Sequence, residues 1–191
     1  MVTAALLLFG VSRVEAQAIS VGVKIGARLT TAYTIKTIPD GIASASEERF
    51  TIGPSVDLRL IGKLSVEVDA LWRRSSFAEN AAYSNAAASV NDWQVPLLAK
   101  YSMKRAFIDG GAVYRHVSIG GLSARAPQPS PTSPNTGGVC VGGGITFKVP
   151  HVRISPELRY TGWLVRPFSS LYNGPVVGTR NQVDLLVGFA F

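Results

Sequence analysis

The sequence predicts an all-β fold, an eight-stranded antiparallel up-and-down barrel that spans a membrane. Three observations predict it. Apolar and polar residues alternate in eight separate stretches, and the segments between them are alternately long and short. Of 191 residues, 47% are hydrophobic and only 16% charged, where a soluble domain carries about 25% charge. No stretch reaches the roughly 20 apolar residues of a spanning helix, so the hydrophobicity is spread by alternation.

The first 18 residues read as an export signal. Residues 4–11 form a short apolar core, and Ala16-Gln17-Ala18 fits a small-x-small cleavage site, although no Lys or Arg precedes that core. The barrel domain is then 19–191. Its first strand places Ile19, Val21, Val23, Ile25, Ala27 and Leu29 on one face. A period of two with one apolar face is the signature of a strand. The second strand carries Phe50, Ile52, Pro54, Val56, Leu58 and Leu60; the third, Leu64, Val66, Val68, Ala70 and Trp72. The fourth carries Trp93, Val95, Leu97, Ala99 and Tyr101; the fifth, Ala106, Ile108, Gly110, Ala112 and Tyr114. The sixth carries Val139, Val141, Gly143, Ile145, Phe147 and Val149; the seventh, Val152, Ile154, Pro156, Leu158, Tyr160, Gly162 and Leu164. The eighth ends the chain with Val183, Leu185, Val187, Phe189 and Phe191. The long connections are expected near 31–48, 74–91, 119–137 and 166–180, the third of them Pro-rich and extended.

No residue of the apolar faces is charged. The opposite faces hold an expected interior ion network: Lys24, Arg28, Asp57, Arg59, Glu67, Asp69, Arg73, Lys100, Asp109, Arg115, Arg153, Glu157, Arg159 and Asp184, with Lys148 on the same parity. Nine bases against six acids leave a surplus of three positive charges. Glu67, Asp69 and Glu157 are expected to meet Arg59, Arg73 and Arg159 across neighbouring strands.

Alternation alone does not say which face is wet. A soluble lipocalin-like barrel, binding lipid on an inward apolar face, has the same pattern. Four features favour the membrane. Long and short connections alternate strictly, as external loops and periplasmic turns do. Aromatics sort by height into two girdles: Phe50, Trp72, Trp93, Tyr114 and Tyr160 toward the external ends, and Tyr101, Phe147, Phe189 and Phe191 near the periplasmic ends. Glycines beside Arg and Lys suit a lumen just wide enough for side chains, whereas on a wet surface they would only weaken strands. The terminal Phe189 and Phe191 resemble the insertion signal of outer-membrane barrels. Against these stand Pro54, Pro96 and Pro156, which remove ladder donors from a sheet with no edge; bulges, or positions above the hydrocarbon, are the expected accommodation.

Several strings fit together: Gly53-Pro54-Ser55-Val56, the run Val66 to Arg74, Pro96 to Tyr101, Pro156 to Tyr160, and Asn181 to Phe189. The set resembles the bacterial outer-membrane β-barrel domain family, akin in architecture to OmpA- and OmpX-type barrels. The resemblance covers 19–191 and implies an eight-stranded barrel and its location, not an activity. The prolines recur in that family.

Chemistry is sparse. A charge of +7 invites a nucleic-acid reading, but the basic residues are scattered singly, so no nucleic acid is expected. Cys140 is alone, which excludes a disulfide framework and a Cys-based metal site, and His116 and His151 lack ligand spacing. His116 and Ser118 have the two-residue spacing of lipid A deacylases on a lipid-facing strand. No Glu or Asp shares that parity to orient the His, and the Ser-Asn-Ala continuation of that family is missing. Glu67 and Asp69 pair two carboxylates, but in the expected interior among bases. The expectation is a non-enzyme without cofactor or metal, structural or displaying its external loops for binding. The alternatives are a narrow channel, the lipocalin-like barrel, and lastly a lipid A-modifying enzyme. The expected partners are outer-membrane lipids, lipopolysaccharide and the barrel-insertion machinery.

Overall fold

The computed structural model describes residues 19–31, 33–35, 41–81, 84–120, 133–166 and 176–191. The expected export signal, 1–18, and most of the expected Pro-rich connection lie outside these residues. Eight staves run in chain order. They are Ile19–Arg28, Gly41–Arg59, Leu64–Asp69 continuing as Leu71–Ala81, Ser84–Met103, Ala106–Gly120, Asn135–Ile145 continuing as Phe147–Val149, Val152–Trp163 and Asn181–Ala190. Each pairs antiparallel with its neighbours in sequence. The sheet closes because Ile25 faces Ile52 of the second stave on one side and Val187 of the eighth on the other. Closure leaves no unpaired edge, which a sheet in hydrocarbon requires.

Between the second and third staves the chain reverses through Gly62, whose φ of 60° suits a residue without a Cβ, and Leu60 N–H donates to Leu64 C=O at 2.9 Å. Lys104 and His151 make the other two short reversals with φ of 24° and 70°. At the opposite end the strands run well past the apolar pattern. The expected loop 74–91 is largely strand: Arg73 pairs with Asp92, and pairing continues to Ala81 with Ser84. The second stave likewise begins at Gly41 and pairs with the third as far as Ala81, after a register shift between Glu47 and Thr51. Nine residues of ladder beyond the Trp72 level, at about 3.3 Å each, carry this three-strand extension roughly 30 Å outward. The expectation erred because alternating hydrophobicity marks only the part of a strand that must face hydrocarbon. Beyond it, backbone pairing needs no apolar face. Two of the long connections also meet, as Tyr33–Ile35 pairs with Val176–Gly178.

The three prolines are accommodated by gaps in neighbouring strands, not by bulges. Second-to-third pairing runs from Ser55–Asp69 to Ile52–Trp72 with unchanged register. Fourth-to-third pairing stops at Leu97–Val68 and resumes at Gln94–Leu71. Pro54 and Pro96 therefore face the same break at Asp69–Ala70 from opposite sides, and Pro54 C=O still accepts from Ala70 N–H at 3.0 Å. Pro156 pairs with Val187 on one side and faces the break between Ile145 and Phe147 on the other. A residue with no N–H costs a ladder little where its neighbour offers no ladder partner.

Candidate functional site

The exterior is apolar. Val21, Val23, Val56, Val68, Val95, Leu97, Ile108, Val139, Val141, Leu158 and Leu185 are all exposed. In water such a belt would be costly at about 25 cal/mol per Å² of apolar area. The expected girdle aromatics are also outside: Phe50, Trp93, Tyr101, Tyr114, Phe147, Tyr160 and Phe191 are exposed, and Trp72 and Phe189 half-exposed. At the long-loop end they pair with polar neighbours. Tyr114 Oη donates to Asn135 Oδ1 at 2.8 Å, and Tyr160 Oη to Asn181 Oδ1 at 2.9 Å.

The interior holds the charges. Among the described residues six buried cations, Lys24, Arg28, Arg73, Lys100, Arg115 and Arg159, balance six buried carboxylates, Glu67, Asp69, Asp92, Asp109, Glu157 and Asp184. All but Asp109 fall into two clusters.

Toward the short-turn end, Lys24 bridges Glu67, Glu157 at 2.7 Å and Asp69 at 3.2 Å. Arg159 holds Glu157 at 2.6 Å, Asp69 at 2.9 Å and Glu67 at 3.4 Å. Lys100 completes the cluster, 2.7 Å from Glu67 and 3.6 Å from Asp57. Toward the long-loop end, Arg115 clamps Asp92 through Nε at 2.9 Å and Nη2 at 2.8 Å. Such two-pronged guanidinium–carboxylate contacts are the stronger kind. Arg28 approaches the same Asp92 at 3.5 Å, and Arg73 takes Asp184 at 2.8 Å while donating to Thr51 at 2.7 Å. Gln94 and Gln182 link these groups, and Trp163 Nε1 donates to Gln182 at 3.2 Å.

Four placements differ from the sequence expectation. Arg59 is exposed and has no part in the network; it ends its stave beside the turn, where parity continues but the enclosed lumen does not. Arg73 meets Asp184 across the barrel instead of the acids of the third and seventh staves. Asp92 went unnoticed because the fourth strand's apolar alternation starts only at Trp93. The expected surplus of three positive charges is absent from the buried interior: Arg59 and Lys148 are exposed and Arg153 half-buried, and Asp92 adds a carboxylate. The lumen is also less polar than its charges suggest. Leu98, Val113, Cys140 and Trp163 form a buried cluster on the inner face, with Leu71, Val90, Phe107, Val117 and Leu186 also buried. Lys100 lies 4.1 Å from the Phe107 ring centre and Arg115 5.0 Å from that of Trp163, within cation–π reach. Neither carboxylate oxygen of Asp109 has a hydrogen-bond partner among the described residues.

His116 is exposed on the outer face, and its Nδ1 sits 2.7 Å from Asn135 Oδ1. An amide neighbour holds the ring but does not offset an imidazolium charge as a triad carboxylate does.

Closed, apolar outside and polar inside, the chain is a transmembrane β-barrel of the bacterial outer-membrane type. Among solved structures it is similar to the outer membrane protein OprG from Pseudomonas aeruginosa, at 14% identity and a TM-score of 0.58 over 91% of this chain and 94% of that one. It also resembles the Neisserial surface protein NspA, at 15% identity and a TM-score of 0.46 over 90% and 95% of the two chains. A third is Ail, the attachment invasion locus protein of Yersinia pestis, at 14% identity and a TM-score of 0.44 over 91% and 99%. Only the first overlay exceeds 0.5, and at that identity it speaks to the fold alone. No family model and no curated protein matches the sequence.

Proposed function

We propose that the chain is a filled, non-conducting barrel of the outer membrane that carries its external strands and loops as a display surface, and that it is not an enzyme. The export signal, 1–18, is removed, and the short turns and both ends of the mature barrel face the periplasm. The partners are outer-membrane lipids and lipopolysaccharide along the belt, and the insertion machinery during assembly, which reads Phe189 and Phe191.

The carrying observation is the plug toward the short-turn end. The side chains of Lys24, Glu67, Asp69, Glu157 and Arg159 are each at most 4% exposed, which supports a lumen filled by side chains at their level. A buried charge lattice of this kind is stable only when its members remain paired, which opposes spontaneous opening. The second support is the three-strand extension beyond the girdle, far more backbone than a membrane anchor requires. Planar-bilayer recording of the purified barrel is the test. The expectation is no steady conductance; stable steps of any size in the unmutated protein would sink the reading, and small ones would favour the narrow-channel alternative.

A further inference from the structure

The short-turn end of the barrel is hollow above the plug. A cavity of about 340 Å³ opens there, floored by Lys24, Glu67, Lys100 and Glu157. That volume lies within the range of small-molecule sites, about 300–1,000 Å³. Its charge is one-sided. Eight cations line it against three carboxylates, and those carboxylates are already engaged. Lys24 takes Glu67 and Glu157, while Lys100 takes Glu67 and approaches Asp57. The remaining six cations are Arg59, Lys63, Lys104, Arg105, Lys148 and Arg153. None of the six has an ion-pair partner among the described residues. They come from two separate turns and from the ends of three staves, which the barrel alone brings into one ring. Hydroxyls stand between them, including Ser55, Ser102 and Thr146, and Arg153 is steered across the rim by a hydrogen bond to Ser20.

We propose that this basin binds a small, soluble, multivalent oxyanion of the phosphate class. Guanidinium and ammonium donors interleaved with hydroxyls match the acceptors of such an anion. The like charges repel one another across a concave wall of low dielectric, and an anion carrying several charges relieves more of that repulsion than chloride does. The side chains ring the open basin at the barrel mouth, whereas lipid headgroups gather outside the wall, so the proposed occupant is free in solution. Opening of the basin to the periplasm rests on the orientation proposed above; binding itself does not.

The test is calorimetric titration of the full-length mature barrel in nonionic detergent with inorganic tripolyphosphate at fixed ionic strength. The expectation is one saturable site, weaker for orthophosphate. A Lys63→Gln, Lys148→Gln, Arg153→Gln triple variant should lose affinity by about tenfold or more, the effect of one charge-assisted contact or several. Arg166→Gln, exposed at the other end, should leave it unchanged. If the triple variant fails to refold, Lys63→Gln and Lys148→Gln alone, both at exposed positions, should each weaken binding measurably. Absence of saturable binding, or an equal loss in Arg166→Gln, would overturn the proposal. So would binding that disappears in phosphatidylglycerol nanodiscs but persists in phosphatidylcholine ones, because lipid headgroups would then be the occupant. Loss of binding with the barrel still non-conducting leaves the display reading intact, so the two can fail separately.

Discussion

Glu67→Gln perturbs the plug at its most connected carboxylate. Glu67 meets Lys24, Lys100 and Arg159 at once, and the amide is nearly the same size, so the change removes charge without opening a cavity. Two of the cations keep other partners: Lys24 retains Asp69 and Glu157, and Arg159 retains the same two acids. Lys100 retains only Asp57, at 3.6 Å. Breaking a buried ion pair by removing one partner costs on the order of 3–5 kcal/mol. Lys100 borders the wet basin and two of three cations stay neutralised, so the lower end, about 3 kcal/mol, is the expected loss. Arg59→Gln, exposed and outside the network, should change stability by less than about 0.5 kcal/mol. The assay is reversible urea unfolding of the barrel in phospholipid vesicles, followed by tryptophan fluorescence. Removing Lys100 as well, by Lys100→Met, should recover part of the loss, since the stranded cation is then gone. A Glu67→Gln cost below about 1 kcal/mol, the value of a surface pair, would refute the dry, coupled plug.

Two further outcomes follow from packing and from the chain terminus. Gly144 lies on the lumen side where an added Cβ would come within 2.7 Å of the Phe107 ring and collide with the Pro156 carbonyl, so Gly144→Val should abolish the folded, heat-modifiable band on unboiled gels, and a normal band would show that the lumen can give way. Phe191 is three-quarters exposed and its N–H donates to Val21 C=O at 3.0 Å, so its deletion should lower the amount of barrel reaching the outer membrane while changing urea stability little; unchanged assembly yield would dismiss the insertion-signal role.

The sequence by itself determined which residues of each stave share a face. Side-chain parity is a local property of an extended backbone, so the grouping of residues such as Val23, Leu97 and Leu158 on the apolar faces was legible without any partner strand, while their outward sense rested on the loop lengths and the aromatic girdles. The closed eight-stave order was legible for the same reason, since alternating long and short connections leave a meander as the simplest path. What the tertiary structure decided was who meets whom. Glu67 gathers cations from the first, fourth and seventh staves, and Arg73 crosses the lumen to Asp184, because stagger and closure set height and distance inside the barrel. Neither is written in any one strand. Asp92 was hidden because the apolar alternation begins only beside it, and the outward strand extensions because backbone pairing beyond the bilayer carries no apolar signature. The prolines tell the same story. Each reads as a defect within its own strand, and becomes tolerable because the pairing register sets it opposite a neighbour's gap.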